Sequence, residues 1–403
     1  MTLRRKLYWI SVLYFAEGFP FGIVYDFLPV YFREHSVSLR EIGLLSLIAL
    51  PWTLKFLWAP AIDLWGQRRD WMVISQAGVI VALVIIPFFD PAQITLALWV
   101  VMLSIPIFSA TQDVAIDAYS IEMMERSEMG RANGLRNAFY RIALMISGGL
   151  LAIAGWIGWR MAFGFAALVM MMTIVLCSQA TDRRTNRVVL PKGPDLRRRA
   201  FDVTLGAFRS LSSRPGFAAV MVFILLFKLG DMAMGPMIKP FWVDRGFTPA
   251  QIGFVSVTIG VAMTTIGALI GGFLTDRWGI FNSLWILGLA QAFSNLIYSA
   301  AATLSVSVPL IYTASVLESF TGGLGTGPFL AFLMTICDKQ HAATQYALLS
   351  ALFGLTRVLS GTFSGFGVEQ MGYSVYFMAT FLLSMPAFLL LPWIKPWTSN
   401  NQA

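Results

Sequence analysis

Six acids and six bases interrupt stretches of the chain that are otherwise apolar. The acids are Glu17, Asp26, Asp113, Asp117, Asp231 and Glu318; the bases are Lys55, Arg136, Arg141, Lys228, Lys239 and Arg357. A charge set in hydrocarbon costs about 2.5–3.5 kcal/mol on insertion scales, so each needs a partner, a wet cavity or a function. The equal numbers imply that much of this charge is neutralised internally. Two chemistries suit such groups: proton exchange at a carboxyl and capture of an anion at a cation. Covalent and metal chemistry lack their parts. His35 and His341 fall in loops on opposite sides, and Cys177 and Cys337 lie in or near different apolar runs. No nucleophile–base set, metal site, cofactor or structural disulfide is expected from them, so the chain does not read as an enzyme.

Depth divides these groups into roles. At about 1.5 Å per residue from the ends of the apolar runs, Glu17, Arg141, Lys228, Asp231, Glu318 and Arg357 lie nearest the middle. Lys55, Asp113 and Asp117 lie nearer one surface, Asp26 and Lys239 nearer the other. Lys228, Arg357 and Arg141 are the candidates to hold an anionic solute; Glu17, Asp231 and Glu318 are the candidates to exchange a proton. Lys228 and Asp231 are three residues apart and share a helix face, so a self-satisfied ion pair is the plainer reading of these two. Asp113 and Asp117 repel at i, i+4 unless Lys55 or Arg136 intervenes. Their depth fits a gate better than a solute site.

Membrane helices must position these groups. The chain has 403 residues, 57% of them hydrophobic and 12% charged, and a mean hydropathy of +0.70. Soluble chains carry about 25% charged residues. Apolar runs at 7–32, 39–64, 71–89, 93–121, 131–156, 160–180, 217–243, 249–275, 281–302, 308–336, 344–369 and 374–394 each suffice to span a bilayer. Several exceed the ~20 residues a crossing needs, which implies tilt or extension beyond the membrane. Only Arg33, Arg40, Arg160 and Arg245 fall in the loops of one side. The positive-inside rule then places both termini in the cytosol, and the net charge of +8 reports topology, not a nucleic-acid partner. Arg4, Arg5 and Lys6 before an apolar run mimic a signal peptide, but the run continues through Glu17, Pro20 and Asp26 without a cleavage site.

The fold expected is an all-α membrane protein of two six-helix bundles, 1–180 and 216–403, joined by a basic cytosolic linker at 181–215. The bundles resemble each other. Leu28 to Ser46 (LPVYFREHSVSLREIGLLS) parallels Lys239 to Ser256 (KPFWVDRGFTPAQIGFVS). Arg141 before Ser147-Gly148 is loosely echoed by Arg357 before Ser360-Gly361. Each half also carries a D-x-x-G turn, Asp63 with Gly66 and Asp276 with Gly279, followed or preceded by cations. Asp63 and Asp276 are candidate gating residues with Lys55, Asp113 and Asp117. Trp52, Trp58, Trp65, Trp71, Trp242 and Trp278 read as an interfacial belt. GGLGTGPF (Gly322 to Phe329) reads as a close-packing stretch, since it lacks the lysine of a phosphate loop.

The paired D-x-x-G loops resemble those between the second and third and the eighth and ninth helices of the major facilitator superfamily. LPWTLKFLWAPAID (Leu50 to Asp63), ATQDVAIDAY (Ala110 to Tyr119), FKLGD (Phe227 to Asp231) and ATQYALLSAL (Ala343 to Leu352) resemble the AmpG-like muropeptide permeases, a branch that also contains acetyl-coenzyme A transporters and siderophore importers. The resemblance implies proton-driven import of a bulky anionic solute, such as an anhydro-muropeptide, across a bacterial inner membrane. It implies alternating access by a monomer whose partners are a small-molecule substrate, protons and the lipid bilayer, around a midplane cavity lined by spans 1, 4, 5, 7, 10 and 11. Muropeptide permeases of this type commonly carry two further hydrophobic segments, for which this chain has no room. The shorter siderophore branch fits that length, so both solutes stay open here.

Overall fold

Apolar runs become helices throughout a computed structural model that describes residues 1–64, 66–125, 128–180, 205–206, 208–304, 307–338 and 342–398. Twelve membrane-length helical segments follow one another among these residues, with no strand. They are α1 Leu3–Glu34, α2 (39–64, built of short helical pieces), α3 Arg68–Phe88, α4 Leu96–Met123, α5 Met129–Ile157 and α6 Trp159–Ser178. After these come α7 Phe217–Asp244, α8 Pro249–Trp278, α9 Ile280–Thr303 and α10 Val308–Thr335. A last helical stretch, Ala342–Ile394, is divided at Gly372 (φ 75°) into α11 and α12. Most of the basic linker, including Arg183, Arg184, Arg187, Lys192 and Arg197 to Arg199, lies outside the described residues, as does His341.

The internal repeat is built as one local device used twice. Ser38 caps α2 and Thr248 caps α8, each accepting from the backbone N–H three residues on (Glu41 and Gln251), whose side chains reach back to the cap. The glycines of both D-x-x-G turns are left-handed, Gly66 at φ 69° and Gly279 at φ 78°. An L side chain is strained there, which is why the turn needs glycine. Besides α2, regular helix yields in α1, α7 and α8. A five-residue π segment, Ile23–Phe27, sits inside α1, and a longer one, Ile252–Ile259, inside α8. α7 breaks at Lys228 (φ −104°, ψ 4°). Such irregularities inside membrane helices concentrate where polar groups are needed.

Two compact units emerge. The first comprises Met1–Arg183, Pro236–Ala262 and Gly361–Glu369. Its core packs Trp9, Ile10, Leu13, Met72, Ile116 and Cys177, and the Gln76 amide donates to the Cys177 sulfur at 3.3 Å. Gly18 lets α1 close on α5, since a Cβ there would stand 2.7 Å from the Tyr140 carbonyl oxygen. Gly253 does the same for α8 on α5: its Cβ would run into the Gly148 carbonyl and stand 2.9 Å from the Leu151 Cβ. The second unit comprises Arg184–Gly235, Met263–Ser360 and Gln370–Ala403. Phe223, Phe227, Phe329, Phe332, Phe388 and Leu391 form its core. The Arg214 guanidinium donates to the Ile336 carbonyl at 2.8 Å and lies 4.0 Å from the Trp397 ring centre. Gly253→Val is expected to destabilise the protein by more than the roughly 1–3 kcal/mol of ordinary overpacking, because backbone, not a movable side chain, blocks the new methyls. Detergent-solubilised protein should lose its monodisperse size-exclusion peak and unfold at lower temperature.

Candidate functional site

Three carboxyls and two cations converge in the first unit. Lys55 on α2 reaches between two acids of α4, its Nζ 3.8 Å from Asp113 Oδ2 and 4.0 Å from Asp117 Oδ2. Arg136 on α5 lies 3.4 Å from Asp117 Oδ1, and the Tyr14 hydroxyl donates to that oxygen at 2.8 Å. The guanidinium also covers the Tyr14 ring at 4.6 Å. Glu17, one turn along α1 from Tyr14, is 7% exposed, and its Oε2 has no hydrogen-bond partner among the described residues; nor has Asp113 Oδ1. With Glu17, Asp113 and Asp117 against Lys55 and Arg136, the cluster holds one acid more than it has cations. In low dielectric an uncompensated charge is strongly disfavoured. One proton on the cluster restores its balance.

Lys228 is the hub of the second unit. At the break in α7 it is 3% exposed. Its Nζ donates to Gln291 Oε1 at 2.6 Å, the Gly322 carbonyl at 3.1 Å and Thr326 Oγ1 at 3.1 Å. Asp231 Oδ2 stands 3.8 Å away, and Asp231 Oδ1 is buried without a hydrogen bond. Gly325 makes room for this arrangement, because a Cβ there would meet Gln291 Oε1. The glycine-rich stretch therefore supplies acceptors as well as close packing, a role readable in retrospect from the i, i+4 spacing of Gly322 and Thr326. Glu318 accepts from the Ser319 hydroxyl at 3.3 Å, and the Arg357 guanidinium lies 6.0 Å from the Phe353 ring centre.

Arg141 differs from these. It is half-buried on α5 and, among the described residues, makes no hydrogen bond or ion pair. The gate candidates divide similarly. Lys55, Asp113 and Asp117 come together, whereas Asp276 is exposed and the Asp63 side chain lies outside the described residues. At the turn after α2, Arg68 donates to the Ile62 carbonyl at 2.9 Å and to Glu122 at 3.3 Å. Nor do the tryptophans all form a belt. Trp52 and Trp58 donate to Ser109 and Thr111 of α4, and Trp242 is fully buried. A partly buried indole N–H seeks an acceptor, and here α4 offers hydroxyls.

Ion pairs tie both ends of the first unit. Near the N-terminus the Lys6 ammonium donates to Glu125 at 2.9 Å and Glu128 at 2.7 Å. At the far end of α1, Asp26 pairs with Lys239 at 2.9 Å, and Arg33 grips Asp244 through two bonds of 2.6 and 2.7 Å. The Arg40 backbone N–H donates to Glu369 at 2.9 Å, and its guanidinium lies over Phe366. Arg33 and Asp244 occupy the same offset from Pro29 and Pro240 in the internal repeat, with opposite charge. That complementarity was the available sequence signal for them.

The Glu128 carboxyl is held below the ordinary range, first by the bond from Lys6 and then by the Glu125 backbone N–H. A carboxyl depressed on folding stabilises above its unfolded value and loses that contribution as pH falls through the folded one. Glu128→Gln should therefore lower the thermal midpoint at pH 7 and match the unsubstituted protein once the medium is acid enough to protonate Glu128. Melting curves from pH 7 down to pH 3 check this.

Comparison with known proteins agrees with this frame. The Major Facilitator Superfamily profile matches residues 10–241. An anhydromuropeptide permease of Escherichia coli K12 is 30% identical over 392 residues, 95% of this chain and 78% of that protein. A putative transporter AmpG 4 of Rickettsia conorii is 24% identical over 97% of this chain and 96% of its own length. Among solved structures, the nucleoside transporter NupG superposes with a TM-score of 0.76 at 14% identity, covering 97% of this chain and 100% of that one. A bacterial homologue of the lysosomal transporter Spinster gives 0.76 at 15%, covering 99% of each. Twelve helices, ionisable groups paired within them and these relatives lead to one conclusion: the chain is a membrane transporter, not an enzyme, and belongs to the AmpG-like permease branch of the major facilitator superfamily.

Proposed function

We propose that the protein imports an anhydromuropeptide, an amino sugar bearing peptide carboxylates, together with protons across a bacterial inner membrane. The observation that carries the coupling is the cluster of three carboxyls and two cations around Glu17, which balances with one proton bound. The 30% identity with the Escherichia coli permease supports the solute. Glu17 is the proton carrier of the first unit, and Lys55, Asp113, Asp117 and Arg136 set the charge it answers to. Arg141 receives a carboxylate of the solute. Lys228 already has three acceptors, so with Asp231, Glu318 and Arg357 it forms the polar hub of the second unit, where Asp231 is the second candidate proton carrier.

Transport proceeds by alternating access in a monomer, with both termini in the cytosol and the basic linker on the same side. On that placement the Arg33 end of α1 faces outward. The D-x-x-G turns with Asp63 and Asp276 brace the cytosolic side. Protonation and loading must favour one conformation over the other for the cycle to turn. The chain matches 78% of the Escherichia coli permease's length; a siderophore of the same branch is the second reading. Uptake of labelled anhydromuropeptide and of a ferric siderophore panel into proteoliposomes with an inward proton gradient decides. Muropeptide accumulation that collapses with a protonophore supports the first reading, and siderophore accumulation replaces it with the second.

A further inference from the structure

The charged groups of the first unit differ in their access to water. Glu17 on α1 and Asp113 on α4 are sealed, and Glu17 Oε2 and Asp113 Oδ1 have no hydrogen bond among the described residues. Asp117 and Arg136 are open, with side chains 30% and 42% exposed. Ionised groups left open within membrane helices face water and not lipid. Direction follows from the helices. The Lys6 ammonium, at the start of α1, bonds Glu125 and Glu128 just beyond the end of α4, so these two helix ends lie together. Tyr14 is nearer that end than Glu17 by three residues, and Asp117 nearer than Asp113 by four, about 4.5 and 6 Å along the axes.

Tyr14 joins the sealed level to the open one. Its hydroxyl donates to Asp117 Oδ1 at 2.8 Å, while the Arg136 guanidinium lies over its ring at 4.6 Å and holds the ring in place. Among the described residues no other hydroxyl bonds to Glu17, Asp113 or Asp117. Asp117 does not depend on that bond. Arg136 stands 3.4 Å from the same oxygen, Lys55 stands 4.0 Å from the other, and water reaches both. Glu17 is the acid in want of a partner. It follows Tyr14 by one turn on the same helix face, and helical side chains lean towards the N-terminus, so its carboxyl lies over the turn that carries Tyr14. Ile10, Leu13 and Ile116 pack around Tyr14 and are all sealed. They keep bulk water from serving Glu17 directly.

We propose that Tyr14 relays the transported proton from Glu17 to Asp117. The protonated Glu17 carboxyl turns about its own side-chain bonds and donates to the Tyr14 oxygen, which can accept while its own hydrogen points at Asp117. The Glu17 O–H breaks as a new Tyr14 O–H forms, and the old Tyr14 O–H breaks as an Asp117 O–H forms. Glu17 is left ionised, Tyr14 unchanged and Asp117 protonated. Asp117 then gives the proton to water, and Lys55 and Arg136 hold the carboxylate that remains. The relay rests on the proton-coupling reading and deepens it, and it does not depend on which solute is carried.

The test is Tyr14→Phe, which keeps the ring under Arg136 and loses only the hydroxyl, in full-length protein reconstituted into proteoliposomes with a trapped pH dye. With anhydromuropeptide outside and an inward proton gradient, uptake and interior acidification should both slow about tenfold or more, since a positioned proton carrier is worth about 10²–10⁴-fold. The final accumulation should equal that of the unsubstituted protein, because a relay sets the rate and not the stoichiometry. Counterflow exchange, in which the proton stays bound, should keep its rate. Heavy water should slow uptake by Tyr14→Phe further and leave its counterflow unchanged, a signature that a hydroxyl merely orienting Asp117 would not give. Uptake at the unsubstituted rate overturns the relay. So does equal loss of uptake and counterflow, or slow uptake that is indifferent to heavy water, and each of these leaves coupling through Glu17 standing. Absence of proton-driven accumulation by the unsubstituted protein removes the coupling reading, and the relay with it.

Discussion

Glu17→Gln is expected to reduce proton-driven accumulation to the level of empty liposomes while solute exchange without a gradient persists. The substitution preserves volume, so no cavity opens. It removes one of three carboxyls facing Lys55 and Arg136, leaving Asp113 and Asp117 to match the two cations with no proton required. The cluster then has nothing to release. Exchange needs only binding and the conformational change, both of which the neutral side chain permits. Accumulation and counterflow in the same proteoliposomes separate these outcomes. If Glu17→Gln still concentrates solute against a gradient and Asp113→Asn does not, the proton travels on Asp113 and the assignment to Glu17 is wrong.

The second large effect concerns the ion pairs at the Arg33 end. Arg33 and Asp244 make a two-bonded pair whose side chains are 21% and 26% exposed. A charge-assisted contact of that kind contributes on the order of 1.5–3 kcal/mol, enough to shift a two-state population by tenfold or more. The Asp26–Lys239 pair and the bond from the Arg40 backbone N–H to Glu369 act in the same direction. Asp244→Arg should reduce uptake about tenfold, since two guanidiniums then oppose each other in the state these pairs stabilise. In that variant a cysteine introduced by Ser46→Cys, with Cys177 and Cys337 changed to serine, should react faster with a membrane-impermeant maleimide, because Ser46 packs on Gly361 in the helix that also carries Phe366 and Glu369. Combining Arg33→Asp with Asp244→Arg should restore most of both. If the swapped pair behaves no better than the single variant, the two residues do not act on each other during transport.

How far the sequence revealed this arrangement varies from part to part, for physical reasons. Bilayer crossing imposes length and apolarity on every span, so hydropathy located all of them, including α2, whose helix is irregular. The caps Ser38 and Thr248 and the left-handed Gly66 and Gly279 were legible because each demands a residue type at a fixed offset. The π segments were not. A shift of the backbone bond from i+4 to i+5 demands no particular residue type, so it leaves no trace in the sequence. The break at Lys228 left only a weak signal, Gly230 two residues on. Charged residues were easy to identify and hard to pair. Lys55 between Asp113 and Asp117 required knowing that α2 lies against α4, and Lys228 with Gln291 and Thr326 required three helices at once. Trp52 was misread because a tryptophan near a span end has the same composition signal whether it meets lipid headgroups or a serine of the next helix.

On the proposed mechanism, solute and proton enter together. The most direct measurement is internal pH, read from a dye trapped in proteoliposomes, when anhydromuropeptide is added outside with no gradient imposed. The interior should acidify with the unsubstituted protein, and should remain flat with Glu17→Gln even as labelled solute exchanges. Entry of the solute without acidification in the unsubstituted protein would contradict the account, leaving the fold and its ion pairs but removing the proton from the mechanism.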